Sequence, residues 1–101
     1  MHDLVIRNAQ IIDGTGRPAQ LGDIAVDDGK ITELGTALGR GDEEIDADGL
    51  TLAPGIIDLH THYDAQLTWD TSASPSTGLG VTTALIGNCG FTIAPLSLIH
   101  I

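Results

Sequence analysis

The chain has 101 residues, 42% of them hydrophobic and 3% aromatic, with four Lys/Arg against 14 Asp/Glu. That length suits one small domain, and the composition is that of a globular rather than a disordered chain. A formal charge of −10 repels polyanions and argues against nucleic acid as a partner. No apolar run reaches the roughly 18 residues of a membrane span. Met1-His2-Asp3-Leu4-Val5-Ile6-Arg7 lacks the basic and apolar regions of a signal peptide. No membrane partner and a cytoplasmic location are therefore expected, and the lone Cys89 cannot close an internal disulfide.

Residues 3 to 53 read as short strands between turn signals. Leu4-Val5-Ile6 and Ile11-Ile12 are apolar stretches bounded by polar residues. Ile24-Ala25-Val26, Asp27-Asp28-Gly29-Lys30 and Ile31-Thr32-Glu33-Leu34 form a hairpin signature, because Asp-Gly supplies the positive φ of a tight turn. Gly35 to Asp42 holds three glycines and reads as a loop. Ile45 to Leu52 repeats the strand, Asp-Gly and strand pattern around Asp48-Gly49 and predicts a second hairpin.

The texture changes at Pro54-Gly55. Ile56-Ile57-Asp58-Leu59 suits a buried strand of a parallel sheet. Ser72-Ala73-Ser74-Pro75-Ser76 predicts a loop that starts a short helix at Pro75. Val81 to Gly87 is β-branched and apolar, a second buried strand, so the order is one βα step of a parallel architecture. Leu96-Ser97-Leu98-Ile99-His100-Ile101 stops on a bare apolar run, which an isolated domain would expose. Residues 96–101 are therefore expected to be a truncation point or foreign to the native gene, and His100 is given no role.

Chemistry concentrates in Asp58-Leu59-His60-Thr61-His62. In a strand, residues i and i+2 share a face, so His60 and His62 point the same way. Neutral imidazole is the commonest protein metal ligand. His-x-His alone describes surface histidines as readily as ligands, since zinc normally takes three or four protein ligands. Its emergence from an apolar strand changes that, because the carboxyl ends of parallel strands are where such folds place active sites. Gly87-Asn88-Cys89-Gly90-Phe91 follows the second apolar strand. A lone Cys is commonly a small buried hydrophobe, yet at this strand end Cys89 can share a cation with the two histidines. Asp58 can act on the histidines from behind, and Tyr63 and Asp64 can line a substrate site or be ordinary loop residues.

Pro54-Gly55-Ile56-Ile57-Asp58-Leu59-His60-Thr61-His62 resembles the opening of the barrel of the amidohydrolase superfamily. His60 to Gln66, Trp69-Asp70, Ser74-Pro75-Ser76, Gly80-Val81-Thr82-Thr83 and Gly87 to Phe91 are similar to its N-acyl-D-amino-acid deacylase (D-aminoacylase) branch. The opening residues, Asp3 to Ala9 and Ile12 to Gly16, resemble the same family's N-terminal β-sandwich segment. The resemblance covers about residues 3 to 95. Leu79 and Thr71 stand where family members often carry His and Pro, a departure that bears on substrate preference.

The resemblance implies a mixed fold: part of a small β-sandwich over residues 1–53, then the first two strands of a (β/α)8 barrel over residues 54–95. It implies that His60, His62 and Cys89 bind metal, with one tight Zn²⁺ at Cys89 and a second, weaker position beside the histidines. The remaining ligands, two histidines and a general-base Asp, would lie on later strands, so no catalytic residue is expected within residues 1–101 and the isolated chain is expected to be inactive. The implied reaction is hydrolysis of the amide of a small-molecule N-acyl-D-amino acid to a carboxylate and a D-amino acid. Two alternatives stay open: a cyclic-amide hydrolase of the hydantoinase or dihydroorotase kind, and a non-catalytic metal-binding remnant. Gly14-Thr15-Gly16-Arg17-Pro18-Ala19 reads as a turn, since no helix opens after it as a dinucleotide site requires. Glu44 to Gly55 lacks the closing Glu of a calcium loop.

Overall fold

Ten consecutive residues, His2–Ile11, form β1, the strand around which the first half of the chain is built. The structure, a computed structural model, describes residues 1–87. It divides into two compact units, Met1–Pro54 and a second beginning at Gly55.

In the first unit β1 is joined by β2 (Gln20–Asp27), β3 (Lys30–Gly35), β4 (Gly41–Asp46) and the two-residue β5 (Thr51–Leu52). The sheet order is β3-β2-β1-β4, with β5 also on β1. β1–β2 and β2–β3 are antiparallel, whereas β4 and β5 run parallel to β1. The two apolar stretches at Leu4 and Ile11 are one strand, not two. A bulge between Ile6 and Ala9 sets Arg7 and Asn8 opposite Asp23, with Asn8 at φ 57°.

Asp28 and Gly29 both have positive φ, 50° and 72°, and join β2 to β3 as a tight two-residue turn. Asp48 and Gly49 have the same signature, at 49° and 81°, but make no hairpin. β4 and β5 pair with successive stretches of β1 in the same direction and not with each other. The second hairpin expected from Ile45 to Leu52 is thus corrected to a turn that interrupts one edge. The reason is that the turn's donors go sideways: Ala47 and Gly49 N–H bond Arg7 and Asn8 carbonyls at 2.8 Å, opposite the β1 bulge. A local Asp-Gly signal fixes positive φ; which partner the flanking strands take is decided by the rest of the sheet.

Val5, Ala9, Ile24 and Ala25 are the buried apolar residues of this unit. Asp23 is buried with them. Its Oδ1 accepts the Asn8 N–H at 3.0 Å, and its Oδ2 accepts from Arg7 and the Leu38 N–H, both at 3.4 Å. Arg7 donates from Nε and Nη2 to the two Glu44 oxygens at 3.2 and 2.7 Å, and from Nη1 and Nη2 to the Leu38 and Gly39 carbonyls at 3.0 and 3.1 Å. One guanidinium therefore joins the bulge, the β3–β4 loop and β4. The Gly14 and Gly16 turn is closed by Asp13, which accepts the Thr15 N–H at 2.9 Å, and leads into β2 without a helix.

The second unit holds β6 (Ile56–Asp58), the four-residue helix α1 (Tyr63–Gln66), a 3-10 turn (Ser76–Leu79) with Pro75 at its N-cap, and β7 (Val81–Ala84). β6 and β7 are parallel, with a register break that leaves Thr82 between the Ile56–Val81 and Ile57–Thr83 pairs. Gly55 sits against that bulge, where an added Cβ would overlap the Thr82 side chain. The strands are parallel, as their apolar runs suggest, but they are not buried. Ile56 is 56% exposed and Ile57 62%, because neither face of a two-stranded sheet is covered by these residues. Among the described residues no helix is long and apolar enough to cross a membrane.

Candidate metal centre

β6 ends at Asp58, so His60 and His62 lie beyond the strand rather than within it. Their common direction comes from a tethered bend. The Asp58 carboxylate accepts the His60 N–H at 3.1 Å, and its carbonyl accepts the Leu85 N–H at 2.8 Å. The Thr61 hydroxyl donates to the Leu85 carbonyl at 2.7 Å, and Thr61 is only 5% exposed. With Thr61 drawn inward, the flanking imidazoles both reach the surface. Their ring centroids are 5.7 Å apart and the planes 25° from parallel. His62 occupies the N-cap position of α1, yet its side chain makes no capping hydrogen bond.

Two exposed imidazoles at this spacing are chemically suited to a borderline divalent cation. In a tetrahedral zinc site with Zn–N of ~2.0–2.1 Å, two ligand nitrogens stand about 3.4 Å apart, which small rotations of adjacent rings can reach. Among the described residues no third His, Cys, Asp or Glu joins them. Cys89 lies outside the described residues. Asp58 pairs with Ala84, so β6 and β7 end level, and the chain leaving β7 starts beside the histidine bend.

The other expected residues are placed as follows. Asp58 acts on the backbone of His60 rather than on a ring. Tyr63 is 8% exposed, and its hydroxyl bonds the Ser76 hydroxyl. Asp64 is 2% exposed, and among the described residues its Oδ1 has no hydrogen-bond partner. Asp70 closes the following loop. It accepts from the Ser72 hydroxyl and amide, the Gln66 carboxamide and the Ser74 amide, which together hold its carboxyl down at about 2. Sequence reasoning missed Thr61 and the Leu85 carbonyl, the pair that anchors the bend. A Thr between two histidines carries no sign of which backbone carbonyl it will meet.

The profile of the Amidohydrolase family matches residues 43–98. N-acyl-D-aspartate deacylase from Alcaligenes xylosoxydans xylosoxydans is 49% identical over 94% of this chain and 19% of its own length. The crystal structure of N-acyl-D-glutamate deacylase from Bordetella bronchiseptica, complexed with zinc and a phosphonate mimic of the tetrahedral intermediate, superposes with a TM-score of 0.87. It is 37% identical over 97% of this chain and 21% of that one. L-hydantoinase (dihydropyrimidinase) from Arthrobacter aurescens matches less, with TM-score 0.55 and 30% identity over 63% of this chain and 14% of its own. The chain thus spans about a fifth of the length of the deacylases it matches. With the profile covering more than half of its residues, and the tethered histidine bend falling inside that span, the chain belongs to the amidohydrolase family.

Proposed function

We propose that this chain is the opening part of a zinc-dependent hydrolase that cleaves the amide of N-acyl-D-amino acids into a carboxylate and a free D-amino acid. In this reading residues 1–53 belong to a small β-sandwich and residues 54–95 begin a (β/α)8 barrel. The observation that carries it is the exposed, stacked His60–His62 pair at the end of a parallel strand, in a chain 49% identical to a deacylase over nearly its whole length. The lower coverage of the hydantoinase favours a linear over a cyclic amide.

His60, His62 and Cys89 would hold the metal, Cys89 at the tight position and the histidines at a weaker one. Bound zinc supplies Lewis acidity and a nucleophilic water at neutral pH. The residues of this chain contribute placement. Asp58 fixes the His60 backbone, and Thr61 pins the bend to the Leu85 carbonyl, so the imidazoles need little reordering to bind. The test is to assay the full-length polypeptide carrying residues 1–101, with its zinc content, against N-acetyl-D-aspartate, N-acetyl-D-glutamate, their L-enantiomers and a hydantoin. Turnover of a D-substrate with zinc bound is expected. Turnover of the hydantoin alone would move the reading to the cyclic-amide hydrolases, and metal-free protein would sink it.

A further inference from the structure

Among the described residues of the second unit, Asp64 is the buried polar group that no contact explains. It is 2% exposed and its Oδ1 meets no donor. Its neighbours in the chain show what satisfaction looks like here: Asp58 accepts the His60 N–H, and Asp70 accepts from four donors. A carboxylate oxygen left dry is costly, and a cationic donor compensates that cost better than a neutral one. Its own unit offers no Lys or Arg. Arg7, Arg17, Lys30 and Arg40 are the whole cation supply of the sequence, and residues 41–101 contain neither Lys nor Arg. Arg7 is already spent on Glu44 and Asp23.

We propose that Asp64 is the buried half of an ion pair whose cationic half, a Lys or Arg, is contributed by a segment beyond residue 101. The pair would act as a lock: it fixes α1, and through it His62 at the helix N-cap, to an element that arrives later in the chain. This rests on the reading of the chain as the opening part of a longer hydrolase. Asp64 is here a positioning residue and touches neither substrate nor metal.

The direct test is a crystal structure of the full-length polypeptide, in which a Lys Nζ or Arg guanidinium nitrogen is expected at hydrogen-bond distance from Asp64 Oδ1. A water, a backbone amide, a metal ion, or Arg17, Lys30 or Arg40 of this stretch in that place would overturn the proposal. Stability gives an independent sign. Removing one half of a buried pair strands the other, so Asp64→Leu should lower the Tm, and replacing the cation by Met in the same protein should restore part of the loss. A higher Tm for Asp64→Leu alone would mean that the carboxylate was never paired. Should that variant fail to fold, the wild-type structure still decides. Zinc content and deacylase turnover report on the proposed function separately, so a failure of that reading is distinguishable from a failure of the ion pair.

Discussion

The two units treat their polar groups in opposite ways. In Met1–Pro54 the buried carboxylate, Asp23, receives three donors, and Arg7 ties three segments together. In the second unit the buried carboxylate, Asp64, has an oxygen that meets no donor among the described residues, while Ile56, Ile57 and Leu59 are exposed on or beside the strand. One region closes its own hydrogen bonds, and the other presents groups that ask for partners. The histidines stand in the second. Stability and chemistry are thus divided along the chain, and substitutions in each region should report on a different property.

The largest expected effect tests that division directly. In the full-length polypeptide Cys89→Ala should abolish tight zinc binding and lower kcat/KM by more than about 100-fold, since perturbing outer-shell partners alone costs roughly 10–100-fold. His60→Ala with His62→Ala should remove the weaker metal and leave the tight one. Asp27→Asn, in the first unit, should leave metal content at the wild-type value. Metal analysis after gel filtration decides among these. A Cys89→Ala protein with full zinc and full activity would end the assignment.

Next in size is the loss of Asp23. Asp23→Ala strips the acceptor from the Asn8 and Leu38 amides in a buried setting, and at about 1–3 kcal/mol for each orphaned group the sheet should lose roughly 3 kcal/mol. Denaturant melts followed by circular dichroism would show it as a lower midpoint. An unchanged midpoint would mean that the bulge reorganises to find other acceptors.

Much of this arrangement was legible before the structure, and the misses share a cause. The Asp28-Gly29 turn follows from local chemistry, since positive φ at two successive residues leaves little other choice. Asp48-Gly49 obeys the same local rule yet serves a different topology, because the partner of β4 is chosen by β1, some forty residues earlier. Residue type singles out the histidine pair, but its geometry does not come from strand alternation, since β6 ends at Asp58. The working contact is Thr61 to the Leu85 carbonyl, 24 residues away. Asp64 and Asp23 look alike in sequence; only the fold shows that one oxygen went unmet. Composition and spacing report what a residue can do locally, and long-range pairing decides which of those options is used.

Gly55→Ala probes the junction between strand and site with a smaller expected effect. The added methyl would overlap the Thr82 Cβ itself, which rotation of the side chain cannot clear, so β6 and β7 must separate at the bulge. Overpacking of this kind costs about 1–3 kcal/mol. The displaced β6 should also loosen the Asp58 bend, so a modest loss of the weaker metal should accompany the lower Tm. Loss of stability with metal affinity unchanged would show that the bend is held by Leu85 alone.

The smallest effect concerns acid. The Thr32 hydroxyl, with His2 Nδ1 at 2.7 Å and the Asp3 amide, holds the Asp27 carboxyl at about 2, against an ordinary 3.8. Arg7, with the Gly41 amide, holds Glu44 at about 2, against 4.5. Both carboxyls release their protons more readily folded than unfolded. Their contribution is therefore complete above the unfolded values and is lost as pH falls from about 4.5 towards 2. Asp70 follows the same sign in the second unit, where it too is held at about 2. All three carboxyls lie at the surface, so added salt should shrink the arginine-linked part, while the hydroxyl-linked part persists. Thermal melts at pH 6, 4 and 2.5 should show the sheet signal weakening mostly over the lower interval. Glu44→Gln should flatten the dependence, and so should Thr32→Val, by letting the Asp27 carboxyl rise towards its ordinary value. A Tm that stays level down to pH 2.5 would mean that these surface bonds orient the side chains without stabilising the sheet.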